Sequence, residues 1–74
     1  MSHRGLQLDD LEKTALSKVL ELKEVNISRL SEALGSPKAN VFRRVERLEG
    51  MEILTSRYEG RQRMVSINPA SADD

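Results

Sequence analysis

Residues Val25 to Glu49, VNISRLSEALGSPKANVFRRVERLE, decide the fold. They hold two apolar stripes at helical spacing, separated by a short polar break. In the first, Ile27, Leu30, Ala33 and Leu34 stand at i, i+3, i+6 and i+7, which puts them on one face of a helix. Asn26 precedes that stripe, and its side-chain oxygen is suited to accept from the free N–H groups of the first turn. Gly35 follows as a stop, able to take the left-handed conformation that ends many helices. Ser36-Pro37 opens the second helix, since proline fits a first turn where its missing N–H costs nothing. Val41, Val45 and Leu48 then recur as an inward stripe, with Lys38, Asn40, Arg43, Arg44 and Arg47 mostly off it. Gly50 marks its end. Two helices joined by a turn at Gly35-Ser36 make a helix-turn-helix.

Toward the N-terminus, Leu8-Asp9-Asp10-Leu11 opens another amphipathic helix. Leu11, Ala15, Val19 and Leu22 form its stripe, which Leu16 and Leu20 widen. Asp9, Asp10 and Glu12 sit at its start, where carboxylates complement the helix dipole, and Lys23 sits near its end. Val25-Asn26-Ile27 reads as a short extended break. Beyond Gly50 the period changes. Ile53 to Tyr58 and Arg63 to Ile67 read as strands, with Glu59-Gly60-Arg61-Gln62 as the turn between them and Pro69 as a stop. The expected architecture is α+β: a winged helix-turn-helix of three helices and a two- to three-stranded antiparallel β-wing. It occupies residues 9–69. Residues 1–8 are expected to be flexible or to form a dimer contact, and residues 70–74 to be a disordered tail.

The chain has 74 residues, enough for one domain near the lower limit for burying its own core. It has no cysteine, which excludes a disulfide framework and a zinc finger. No stretch approaches the roughly 18 apolar residues that span a bilayer, and no apolar signal core follows the N-terminus. A cytoplasmic, nucleoid-associated protein is the expectation. Net charge is zero, but its distribution is uneven. Residues 1–34 carry five basic and six acidic side chains, whereas residues 36–68 carry seven and four, with six of those seven cations arginine. Arginine is the side chain best suited to bidentate phosphate or guanine contacts.

The stretch from Val25 to Glu49 resembles, without a gap, the winged helix regulators of the MarR and ArsR type. The likeness runs from about Leu11 to Pro69: a short strand, a capped helix, then a reader helix with apolar residues at the places of Val41, Val45 and Leu48. Three positions depart from the pattern. Asn26 stands where the family usually has serine or threonine. Pro37 stands where it often has a serine cap, a role open to Ser36 here. Glu52 stands where it normally has a glycine. Gly35-Ser36-Pro37-Lys38 also resembles the turn of Z-DNA-binding winged helices. Those use asparagine and tyrosine on the reader helix and tryptophan in the wing. This sequence has Phe42 and Glu46 there, and no tryptophan, so left-handed DNA is disfavoured.

The resemblance implies sequence-specific binding of double-stranded DNA, with helix 37–49 in the major groove and wing 53–67 on the minor groove or flanking phosphates. The reader set is Lys38, Ala39, Asn40, Phe42, Arg43 and Arg47. Arg43 suits a guanine, Asn40 an adenine edge or a phosphate, and Lys38 and Arg47 phosphates. The alternative for the arginines is an ordinary solvated face that pairs with Glu46 and Glu49. Phe42 lies beside the core stripe, where a wide apolar face would take it in; exposed, it would meet a thymine methyl or a partner protein. The wing set is Arg57, Arg61 and Arg63. Tyr58 is expected to cover one side of the hairpin. A homodimer would use the N-terminal segment and helix one, and the chain is compatible with being one domain of a longer regulator. His3 alone makes no metal site, no nucleophile has an activating base, and no glycine-rich phosphate loop occurs. Neither catalysis nor a cofactor is expected. A protein–protein module without DNA binding is the alternative function.

Overall fold

Asp9 caps the first helix with a reciprocal pair of bonds: its carboxylate accepts from the Glu12 N–H at 2.8 Å, and Glu12 accepts from the Asp9 N–H at 3.0 Å. This capping box, Asp-x-x-Glu, satisfies two N–H groups that the first turn leaves without intrahelical partners. The helix it starts, α1, spans Asp10–Leu22. Strand β1 follows at Glu24–Asn26, then α2 at Ile27–Leu34, α3 at Lys38–Gly50, β2 at Leu54–Glu59 and β3 at Gln62–Ile67. This is the winged helix-turn-helix, seen in a computed structural model that describes residues 8–69. Expectations for residues 1–7 and 70–74 lie outside that range; Leu8, the end of the proposed N-terminal segment, packs against the core.

Each boundary has a local cause. Asn26 accepts from the Arg29 N–H at 2.7 Å and so caps α2. Gly35, at φ 64°, closes it, with its N–H on Glu32 O and the Ser36 N–H on Ser31 O. No side chain caps α3: Pro37 occupies the capping position and Ser36 does not serve, contrary to the role open to it in the sequence. At the other end of α3, the Ile53 N–H reaches Leu48 O and the Glu52 N–H reaches Glu49 O, both at 2.9 Å. That pair of bonds is a Schellman closure, and it requires a left-handed residue at position 52. Glu52 takes φ 63° there, so the geometry of the absent glycine is kept with a side chain that disfavours it.

The three strands form one antiparallel sheet in the order β1-β3-β2. Val25 faces Val65, which faces Ser56, and Leu54 faces Ile67. A two-residue loop, Gly60-Arg61, closes the hairpin, with the positive φ it needs supplied by Gly60 at 63°. Every element contributes to one core: Ala15 and Val19 from α1, Val25 from β1, Leu30 from α2, Val41, Val45 and Leu48 from α3, Leu54 from β2, and Val65 from β3. Residues four apart on α1, and three, four and seven apart on α3, deliver these side chains to a common centre, where Leu30 of α2 meets them.

The stripe of α1 differs from expectation. Leu20 is 63% exposed and Leu22 38% exposed, while Glu12 is fully buried. Glu12, Ala15 and Val19 stand at i, i+3 and i+7, so the face that turns inward begins with a carboxylate rather than with Leu11. Ala33 of α2 is likewise exposed, leaving Leu30 as the buried residue of that helix.

Candidate nucleic-acid interface

Helix α3 buries Val41, Val45 and Leu48, and its remaining residues divide into an outward face and two flanks. Ala39 and Arg43, one turn apart, are exposed on the outward face. The flank toward α1 holds Arg44 and Arg47. Arg47 Nη1 donates to both oxygens of Glu12, at 3.0 and 3.3 Å, and Arg44 Nε pairs with Asp9 at 2.9 Å. Arg44 Nε also lies 4.0 Å from Glu12. The carboxylate that caps α1 therefore ties α1 to α3. Both arginines thus reach carboxylates at the start of α1, where a plain solvated face would have paired them with Glu46 and Glu49.

Those two carboxylates belong to the other flank and hold the wing. Arg63 of β3 pairs with Glu46 at 2.8 Å and with Glu49 at 2.9 Å, and its Nε donates to Ser56 Oγ at 3.1 Å. Its guanidinium carbon lies 4.9 Å from the centroid of the Phe42 ring, a cation–π contact. Arg63 is 11% exposed. Burial lowers its pKa, but the hydrogen bonds and charges of Glu46 and Glu49 outweigh that and hold it above the usual arginine value. Phe42 is 44% exposed and lies outside the core, so the expectation that the apolar face would absorb it is corrected. The inward stripe of α3 is filled by Val41, Val45 and Leu48, and Phe42 projects from the wing flank instead.

On the outer face of the sheet, Arg57 reaches over β3 to Glu24 of β1, with Nε and Nη2 each 2.9 Å from a carboxylate oxygen. It also lies 3.5 Å from Glu59. Tyr58 is 72% exposed and does not cover the hairpin. Arg61 stands exposed in the wing turn and lines a groove with Asn26, Ser28 and Gln62 at the start of α2. Asn26 Nδ2 donates to Gln62 Oε1 at 3.4 Å, linking that helix start to the wing.

The expected site residues thus fall into two groups. Lys38, Ala39, Asn40, Phe42, Arg43 and Arg61 are exposed, and Lys38, Arg43 and Arg61 pair with no carboxylate among the described residues. Arg47, Arg57 and Arg63 are engaged within the fold. Sequence reading missed the Glu12 clamp and the carboxylate pair around Arg63. The signal for the first was available, because Glu12 shares a helical face with Ala15 and Val19. Among the described residues no cluster of three or more His, Cys, Asp or Glu could hold a metal, and no helix is long and apolar enough to cross a membrane.

No protein-family model matches the sequence, and no curated protein matches it. The fold, in contrast, is found among solved structures. A probable transcriptional regulator from Pseudomonas aeruginosa superposes with a TM-score of 0.84 at 25% identity, over 93% of this chain and 55% of that one. A cysteine-to-serine mutant of MarR from E. coli, complexed with operator DNA, gives 0.82 at 14% identity over 95% and 52%. ZitR from Lactococcus lactis, again a cysteine-to-serine mutant and in complex with DNA, gives 0.79 at 17% identity over 92% and 48%. The chain spans about half the length of these proteins.

Proposed function

We propose, from the premise that the chain has the winged helix-turn-helix fold of MarR-type regulators, that it is a DNA-binding domain acting in transcriptional regulation. Helix α3 enters the major groove of double-stranded DNA, and the wing tip at Arg61 meets the minor groove or the flanking phosphates. One observation carries this reading: Lys38, Ala39, Asn40 and Arg43 stand exposed on the first half of α3, with the cations Lys38 and Arg43 held by no carboxylate of the described residues. Arg43 contacts a guanine, Asn40 an adenine edge or a phosphate, and Lys38 and Arg61 phosphates.

Arg47, Arg57 and Arg63 face DNA while held by Glu12, Glu24, and Glu46 with Glu49. Their first task is to set the angle of α3 and the wing, and any phosphate contact is made without leaving those partners. A single module of this kind covers about 600–1,000 Å² of protein surface on DNA, so two copies on half-sites about one helical turn apart bind far better than one. The N-terminal segment and α1, where Leu20 and Leu22 are exposed, form the two-fold contact. The protein works in the cytoplasm, at the nucleoid.

The test is a titration of labelled duplex DNA at low and moderate salt, with Arg43→Ala and Lys38→Ala beside the parent. Salt-sensitive binding, reduced in both variants, supports the reading. Absence of binding by folded protein at low salt refutes it. The protein–protein reading keeps two observations in its favour: Phe42 is exposed, and ion pairs with Glu46 and Glu49 interrupt the arginine row between Arg43 and the wing.

A further inference from the structure

Phe42 is a large apolar side chain that the fold does not use. It lies outside the core and is 44% exposed. Yet its ring is not left loose. The guanidinium of Arg63 lies over it at 4.9 Å, and that guanidinium is itself held from three sides, by Glu46, Glu49 and Ser56. A ring backed by a side chain that is only 11% exposed is fixed in orientation before any partner arrives. Phe42 also lies one helical turn beyond Lys38 and next to Arg43, within the half of α3 that enters the groove.

Base-pair edges in the major groove are lined by donors and acceptors, with one apolar group among them, the 5-methyl of thymine. We infer that Phe42 reads a thymine 5-methyl group in the major groove, with Arg63 as the positioning residue that holds its ring. This rests on the DNA-binding reading above and adds to it a base that neither Arg43 nor Asn40 selects. It also gives Arg63 a role in specificity that needs no base contact of its own. The same contact accepts 5-methylcytosine, which carries its methyl in the same groove.

The experiment begins with a duplex selected for tight binding, in which each thymine is replaced in turn by uracil, which lacks only the methyl. One buried methyl is worth about 0.8 kcal/mol, or about a fourfold change in affinity. At one base pair in each half-site, uracil is expected to weaken the parent protein about fourfold and to leave Phe42→Ala unaffected. Arg63→Lys keeps a cation between Glu46 and Glu49 but loses the planar stack. It is expected to retain salt-sensitive binding while the thymine-to-uracil ratio falls toward one, a change that a merely structural role would not produce. If uracil is neutral at every position while Arg43→Ala still weakens binding, the assignment of Phe42 is overturned and the DNA reading stands. If no duplex binds, both fall, and Phe42 becomes the contact for a protein partner.

Discussion

Replacing Arg47 with alanine leaves a buried carboxylate short of its main partner. Glu12 is fully buried, and its oxygens receive Arg47 Nη1 at 3.0 and 3.3 Å, the Asp9 N–H at 3.0 Å and, more distantly, Arg44 Nε at 4.0 Å. Removing one member of a fully buried ion pair costs about 3–5 kcal/mol, because the other charge stays behind without compensation. Two features reduce that figure here. The Asp9 N–H and Arg44 remain, and the Arg47 side chain is 49% exposed, so solvent already screens the pair. A loss of about 2 kcal/mol follows. In a domain of this size each kcal/mol moves the melting midpoint by about 4–8 °C, so Arg47→Ala should melt about 8–16 °C lower by circular dichroism. Arg43→Ala is the control: its guanidinium pairs with no carboxylate among the described residues, and its stability should stay within about 0.5 kcal/mol of the parent. Equal melting midpoints for the two variants would refute the clamp. The comparison also governs how DNA data are read, since weaker binding by Arg47→Ala reports the lost tie to α1 as well as any lost phosphate contact.

Glu52→Gly should stabilise the domain by about 0.5–1 kcal/mol, because relief of left-handed strain of about 1–2 kcal/mol is partly offset by the greater freedom of glycine in the unfolded chain; a lower melting midpoint would show that Glu52 makes a compensating contact. Asn26→Ala removes the cap of α2 and the link to Gln62, and should cost about 1 kcal/mol in a denaturant titration, with Asn26→Ser recovering most of it. With Lys38 and Arg61 as the phosphate-contacting cations of the interface that no described carboxylate holds, log affinity against log salt should fall with a slope of about −2 per domain. Lys38→Ala should make that slope shallower by about one, whereas Arg43→Ala should weaken binding with little change of slope, and a parent slope near about −5 would mean that the paired arginines release their carboxylates on DNA.

The order of elements was legible because each boundary is written in a local signal: Asn26 and Gly35 bracket α2, Gly60 makes the hairpin turn, and the stripe Val41, Val45, Leu48 is unbroken. Side-chain partnerships across the fold were not. Leu20 and Leu22 satisfy a helical period as well as Ala15 and Val19 do, and which of them turns inward depends on where α2 and the sheet sit. The same holds for the arginines. Charge counting places seven cations in the second half of the chain, but only geometry separates Arg63, wedged between Glu46 and Glu49, from Arg61, exposed two residues earlier. Glu12 is the instructive case. As a capping-box residue it reads as surface charge, yet the apolar face it shares with Ala15 and Val19 carries it into the interior, where Arg47 must follow.

Amide chemical-shift mapping on addition of a short duplex would address the DNA-binding surface most directly. Shifts should concentrate at residues 38–43 of α3 and 60–62 of the wing tip and fade as salt is raised, with the exposed face of α1 around Leu20 unchanged. Shifts centred on Leu20 and Leu22 with α3 silent, or no shifts at all, would contradict the DNA-binding reading.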